Sequence, residues 1–120
     1  MIERIEGLPD NVIGVRVNGE LTRKDYESVI IPAIEEGLKR TPKLRMLVQF
    51  APDFTGFEAG ALVADAKVGL RHPFSWEKVA LVTDVDWMRR ATNLFGFLTP
   101  GEVKVFSNSE LDQAKEWVAA

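Results

Sequence analysis

A nearly continuous apolar run, LRMLVQF at residues 44–50, is the feature that most constrains how this chain can fold. Only Arg45 and Gln49 interrupt it. Such a run is typical of a strand that is covered on both faces, as in a parallel sheet flanked by helices. Pro52 and Gly56 follow, and the strand ends at that turn because proline has no N–H to donate to a ladder. The sequence therefore predicts a buried central strand.

A helix is expected directly after this turn. Thr55 stands three residues before Glu58, and T-x-x-E ahead of an apolar segment is the pattern of a capping box. In such a box the threonine hydroxyl accepts from the N–H of Glu58, and the glutamate carboxylate accepts from the N–H of Thr55. The helix should end near His72, because a residue that precedes proline disfavours the helical backbone.

The rest of the chain alternates between strand and helix patterns. Residues 2–6 and 12–17 form two short strands around a tight turn, which is typical of an antiparallel hairpin. Pro32 lies inside the next helix pattern and predicts a kink there. The expected order is ββαβαβαβα: a mixed, mostly parallel α/β sheet of about five strands with about four helices. The later strands are expected at 44–50, 78–82 and 102–106, the last at an edge. Helices are expected to start at Thr22, which with Asp25 resembles an N-terminal cap, at Thr55, at Thr83, and at one of Ser107, Asn108 and Ser109.

Size and composition narrow the class of protein. A chain of 120 residues fits one domain, 1–120, and the absence of cysteine excludes disulfides, thiolate zinc sites and thiol catalysis. A net charge of −3 disfavours a general nucleic-acid binder, because phosphate neutralisation needs a basic surface. No apolar run is long enough to span a membrane, and the first residues are acidic where a signal peptide is basic. A soluble, cytoplasmic protein is therefore expected.

Four stretches that together cover most of the chain carry a resemblance to a known family. They are DYESVIIPAIEE (25–36), LVQFAPDFTGFEAGAL (47–62), KVALVTDVDWMRRATNLFGFLTPGEVKVF (78–106) and ELDQAKEWV (110–118). With them the chain resembles the STAS domains of anti-sigma factor antagonists, and within that group the SpoIIAA-like family. The fold of that family is also compared with CRAL-TRIO lipid-binding domains. The resemblance implies a domain that acts through protein contacts or as a sensor.

The turn at 53–56 carries a further likeness. Phospho-regulated STAS domains have an Asp-Ser-Ser-Gly-like turn, in which a partner kinase phosphorylates the Ser or Thr before the Gly. Asp53, Thr55 and Gly56 match that turn, whereas Phe54 stands where a small polar residue is usual. The resemblance thus makes Thr55 a candidate phosphosite, where a phosphate would meet free N–H groups and the helix dipole. The alternative is that Thr55 only caps the helix.

Acidic side chains follow two strands that we expect to be neighbours. Asp53, Asp84 and Asp86 would lie at the carboxyl ends of these strands, where open α/β sheets bind ligands. They are either a metal or phosphoacceptor cluster, or helix caps and first-turn acids. His72 is the only histidine and is read as a turn residue. We predict no metal site, no catalytic residue and no cofactor.

Large apolar side chains gather at the same edge in greater number than one helix face can bury. They form either a subunit interface or the mouth of an apolar pocket, or else they belong to the ordinary core. Arg89 and Arg90 beside them suit an anionic membrane surface or a solvated helix face. The predicted binding surface comprises Asp53, Phe54, Gly56, Phe57, Asp84, Trp87, Met88, Arg90, Phe95, Phe97 and Leu98.

These patterns together predict a non-enzymatic regulatory or sensing module that contacts a protein partner or a second copy of itself, as a homodimer. The alternative is a carrier or sensor of a small apolar ligand or lipid, in the manner of CRAL-TRIO domains. An enzyme is the least favoured class, because the sequence has no phosphate-binding loop, nucleophile elbow or zinc-ligand spacing.

Overall fold

A computed structural model describes residues 1–60, 76–95 and 101–120, without the side chains of Leu94 and Phe95. Most of the helix predicted after Thr55, together with His72, Phe97 and Leu98, lies outside the described residues. The strands are β1 (Ile2–Arg4), β2 (Val12–Val17), β3 (Glu20–Leu21), β4 (Leu44–Phe50), β5 (Gly56–Phe57), β6 (Trp76–Val82) and β7 (Glu102–Phe106). The helices are α1 (Arg23–Asp25), a π-helical segment (Tyr26–Ile30), α2 (Ile31–Arg40), α3 (Asp86–Phe95), a 3-10 turn (Asn108–Glu110) and α4 (Leu111–Ala119).

Five of the strands form the main sheet, in the order β1-β2-β4-β6-β7. β1 pairs antiparallel with β2, and the other three pairings are parallel. The apolar run of β4 lies at the centre of the sheet, with Leu44 and Leu47 fully buried. The predicted mixed, mostly parallel sheet with an antiparallel first hairpin is therefore confirmed, and β7 is the predicted edge strand.

The two faces of the sheet pack against different helices, because successive side chains of a strand point to opposite faces. On one face, residues such as Val15, Met46 and Phe50 form a core with the first helical region and with Met88 of α3. On the other face, residues such as Leu47 and Val82 pack against α4. This three-layer arrangement leaves the carboxyl ends of β4 and β6 at one edge of the sheet, with α3 and the 3-10 turn following there.

The first helical region begins at a capping box and contains a proline. The Thr22 hydroxyl accepts from the N–H of Asp25 at 3.1 Å, and the Asp25 carboxylate accepts from the N–H of Thr22 at 3.1 Å, as predicted. Where a kink was expected, the structure has a π-helical segment, in which the N–H of Ile31 donates to the Tyr26 carbonyl. Pro32 follows directly, and a local change of helix type accommodates a residue that cannot donate.

A second, two-stranded parallel sheet connects the first helical region to the turn after β4. β3 pairs with β5, with Glu20 opposite Gly56 and Leu21 opposite Phe57. The sequence did not predict this pairing. It holds the segment after Pro52 against the chain that leads into α1, and so it fixes the position of Phe57.

Candidate functional site

Four aromatic rings run in contact from the core to the surface at the carboxyl edge of the sheet. We call Phe50, Phe54, Phe57 and Trp87 the aromatic chain. The ring centroids of Phe50 and Phe54 are 4.7 Å apart, those of Phe54 and Phe57 5.2 Å, and those of Phe57 and Trp87 6.2 Å. The inner end is buried, since Phe50 is only 5% exposed, whereas Trp87 at the outer end is 59% exposed. Tilted and edge-to-face contacts at these distances stabilise each ring in its place.

Backbone hydrogen bonds position the two middle rings. The N–H of Phe54 donates to the Ala51 carbonyl at 2.9 Å, which closes a tight turn around Pro52. Gly56 has a φ of 143°, which lies in the region that only glycine adopts without strain. The turn therefore projects Phe54 and Phe57 toward Phe50, and a side chain at position 56 would disturb it.

Trp87 is held by the start of α3. The Thr83 hydroxyl accepts from the N–H of Val85 at 3.1 Å, and α3 begins at Asp86 rather than at Thr83. Met88, the next residue after Trp87, is buried and packs in the core. Met88 thus anchors α3 instead of contributing to the surface, and its neighbour Trp87 faces outward because adjacent residues of a helix point in different directions.

The predicted capping box at Thr55 and Glu58 is wrong. The N–H of Thr55 donates to the Gly19 carbonyl and the N–H of Glu58 donates to the Leu21 carbonyl, both at 2.9 Å. The Glu58 carboxylate accepts from the N–H of Arg23 at 3.4 Å. Pairing with the β3 segment has taken the backbone groups that a cap would use.

This correction removes the physical argument for a phosphate at Thr55. The N–H groups of Thr55 and Glu58 already have partners, and β5 directly follows Thr55, so that the first helical residues are 59 and 60. The threonine side chain is exposed. Phosphorylation of Thr55 stays a prediction that now depends on the resemblance of the turn alone.

A polar network crosses the same edge of the sheet, and it includes residues that the sequence analysis missed. Arg16 Nε donates to Gln49 Oε1 at 2.9 Å, and Gln49 Nε2 donates to Asn108 Oδ1 at 2.8 Å. Asn108 Nδ2 donates to the Phe50 carbonyl and to Asp84 Oδ2, each at 2.9 Å. Gln49 is only 4% exposed, and a buried amide needs partners for both its oxygen and its nitrogen. The signal in the sequence was one polar residue within an apolar strand.

Asp84 belongs to this network. Its carboxylate accepts from the backbone N–H of Asn108 at 3.0 Å and from the Asn108 side chain. These two bonds, with a smaller contribution from the positive charge of Arg89, hold the pKa of Asp84 below its ordinary value. Arg89 donates to the Thr83 carbonyl at 3.0 Å, whereas Arg90 is exposed. Asp84 is therefore a structural acceptor that fixes the 3-10 turn.

The structure does not bring the acidic residues together as a metal site. In residues 1–60, 76–95 and 101–120, no three His, Cys, Asp or Glu side chains are grouped so that they could hold a metal ion. Asp53 and Asp86 are both exposed. Within the same ranges, no helix is both long and apolar enough to cross a membrane.

Comparisons with known proteins agree with this architecture. The sequence model of the SpoIIAA-like family matches residues 12–119. A crystal structure of an uncharacterized protein from the DUF3478 family, with a SpoIIAA-like fold, from Shewanella loihica PV-4 is similar at a TM-score of 0.77 and 28% sequence identity. That similarity covers 98% of this chain and 92% of the other. A comparison with curated proteins finds no match. The chain belongs to the SpoIIAA-like family.

Proposed function

We propose that this protein is a non-enzymatic, cytoplasmic regulatory module that binds a protein partner through the outer end of the aromatic chain. One observation carries the proposal: Trp87 is 59% exposed, yet its ring lies against Phe57 in a chain of contacts that reaches the core. Tryptophan is among the residues that contribute most to binding energy when a partner covers them. A ring that is already positioned also loses less side-chain entropy on binding than a mobile one.

The surroundings of Trp87 suit the edge of a protein interface. Asp53, Asp86 and Arg90 are exposed beside the aromatic residues in sequence, and interfaces combine a central aromatic anchor with a polar, charged rim. Membership in a family whose STAS-type relatives are interaction modules supports the same class of function. Asp53, Phe54, Gly56, Phe57 and Trp87 are the residues that we assign to the proposed binding surface.

A carrier or sensor of a small apolar ligand is the alternative. Nothing in the described parts of the chain favours it over protein binding, because the rings of Phe50, Phe54 and Phe57 contact one another directly. Such rings fill the space between them instead of enclosing a ligand. The experiment below distinguishes the two functions by the mass of what is captured.

Photo-crosslinking in living cells of the native host tests the proposal. A benzophenone amino acid replaces Arg90, which lies one helical turn after Trp87 on α3 and is exposed. We expect a discrete protein adduct, and we expect the additional substitution Trp87→Ala to lower its yield about tenfold or more, since truncation of an anchoring residue costs about 2 kcal/mol or more and each step of about 1.4 kcal/mol is a factor of about ten in Kd.

The matched control carries the benzophenone at Asp112, an exposed position on α4 at the opposite face of the sheet. We expect no such adduct there. An adduct at Arg90 that is insensitive to Trp87→Ala, or no adduct at all, would contradict the proposal. An added mass the size of a lipid would support the carrier instead.

A further inference from the structure

β7 lies at the edge of the main sheet, and its backbone and side chains are arranged so that a strand from another chain could pair with it. β7 is the last strand of the five-stranded sheet, so within the described residues no strand pairs with its outer side. It runs without a bulge against β6 from Glu102 to Phe106 and contains no proline. Native proteins usually protect such an edge, because its free N–H and C=O groups can pair with another chain.

The hydrogen bonds to β6 show which backbone groups of β7 point outward. The N–H of Thr83 donates to the Phe106 carbonyl at 2.9 Å. In a parallel ladder, alternate residues of a strand bond to the same neighbour. Phe106, Lys104 and Glu102 therefore direct their backbone groups toward β6, and the N–H and C=O groups of Val103 and Val105 point to the outer edge.

The side chains of β7 are self-complementary when the strand meets a copy of itself in the antiparallel direction. With a two-fold axis at Val103, the two Val103 residues exchange backbone hydrogen bonds, and Glu102 of each copy lies opposite Lys104 of the other. Glu102 and Lys104 are both exposed and lie on the same face of the sheet. Opposite charges across two strands attract, and these non-hydrogen-bonded pairs are the closer ones.

Other registers lack this match. An axis at Lys104 sets two lysines opposite each other, which is repulsive. An axis at Val105 sets Lys104 opposite Phe106 and leaves Glu102 without a cation. A shift by a single residue sets outward-pointing groups against inward-pointing ones, and no ladder forms. The pattern Glu-Val-Lys thus selects one antiparallel register.

We propose that a second copy of this chain pairs antiparallel with β7 about Val103 and joins the two sheets into one continuous sheet. The interface comprises the backbone groups of Val103 and Val105 and two symmetric Glu102–Lys104 pairs. It does not use the aromatic chain, so it is independent of the protein-binding surface at Trp87, and either can exist without the other.

Charge exchange at the two positions tests this register. Sedimentation equilibrium gives the dimer Kd of the wild type, of Lys104→Glu, of Glu102→Lys and of the double variant. Each single variant turns both attractive pairs into repulsive ones, so we expect its Kd to rise about tenfold or more. The double variant regains the dimer, and an equimolar mixture of the two single variants forms a heterodimer, because unlike charges again face each other.

Lys24→Glu is the matched control, since it makes the same change of charge at an exposed site on α1 and should leave the Kd unchanged. Thermal unfolding of every variant verifies that it is folded. Amide exchange at Val103 and Val105 should slow as the wild-type concentration rises. A monomeric wild type, a Kd that none of the variants changes, or single variants that fail to associate when mixed would each overturn the proposal.

Discussion

At the scale of single residues, Gln49 shows how one polar side chain organises the carboxyl edge of the sheet. It is buried within β4 and connects Arg16 of β2 to Asn108 after β7. Leaving a buried amide without a hydrogen-bond partner costs about 1–3 kcal/mol of stability. Replacing a partner of Gln49 should therefore destabilise the protein as replacing Gln49 itself would. Asn108 makes the most hydrogen bonds in this network, because it also donates to the Phe50 carbonyl and to both carboxylate oxygens of Asp84.

The Asp84–Asn108 contact predicts how stability depends on pH. The pKa of Asp84 is lowered from its ordinary value of 3.8, chiefly by the backbone and side-chain donors of Asn108. The folded state thus binds its proton less readily than the unfolded state, and the bond stabilises the fold above pH 3.8. As the pH falls through the lowered pKa, we expect this stabilisation to disappear. Urea unfolding of the wild type between neutral and acidic pH should show the loss.

Two variants remove the cause wholly or in part, since Asn108→Ala keeps the backbone donor, and both should flatten that acid slope. Asp84→Asn has no carboxylate to titrate, and Asn108→Ala leaves Asp84 without its side-chain donor. Both proteins will be less stable than the wild type at neutral pH, but the change of their free energy of unfolding on acidification should be smaller. An acid slope as steep as that of the wild type in Asp84→Asn would show that other carboxylates, such as Glu110 with its similarly lowered pKa, are responsible.

At the scale of elements, α4 is fastened to the sheet by cations at its carboxyl end. Arg45 Nη1 of β4 donates to the Val118 carbonyl at 3.0 Å, and Lys78 Nζ of β6 donates to the Trp117 carbonyl at 3.2 Å. The last carbonyls of a helix have no partner within the helix and carry partial negative charge. The two strands therefore complete the end of α4 and position its apolar face over Leu47.

Arg45→Gln should destabilise the protein by about 2 kcal/mol, because it removes a charged donor to Val118 and the ion-pair partner of Glu77. Equilibrium urea unfolding measures this change. Arg40→Gln is the matched control, because Arg40 and Glu36 are exposed and Arg40 Nη2 lies 4.0 Å from Glu36 Oε1. Such surface ion pairs contribute about 0–1 kcal/mol to the free energy of unfolding. Equal losses in the two variants would mean that the contact of Arg45 with α4 adds no stability.

At the scale of the whole molecule, the sequence was informative where local patterns decide the structure. The apolar run of β4 and the capping box at Thr22 could be read directly, because burial and capping follow from residue type and spacing. Thr55 shows the limit of that reasoning. Its T-x-x-E pattern is that of a cap, but the carbonyls of Gly19 and Leu21, distant in sequence, took the N–H groups instead.

The candidate site divides in the same way. The aromatic residues at the carboxyl edge were visible in the sequence, but their order from core to surface was not, because burial depends on how β5 and α3 are placed. The pairing of Gln49 with Asn108 could not be predicted from the sequence either, since the two are 59 residues apart and no local pattern connects them. Long-range pairing of polar groups is decided by the fold as a whole.

The buried end of the aromatic chain should contribute to stability and the exposed end to partner binding, and mutations at the two ends should separate these effects. Phe50→Ala removes a buried ring and should lower the free energy of unfolding by about 3–5 kcal/mol. Trp87→Ala removes a largely exposed ring at the outer end of the aromatic chain, and should cost less than about 1 kcal/mol while it lowers the crosslink yield from position 90 about tenfold or more. Urea unfolding and crosslinking of the same two variants measure both effects. If Trp87→Ala were as destabilising as Phe50→Ala, Trp87 would be part of the core, and its exposure would not mark a binding surface.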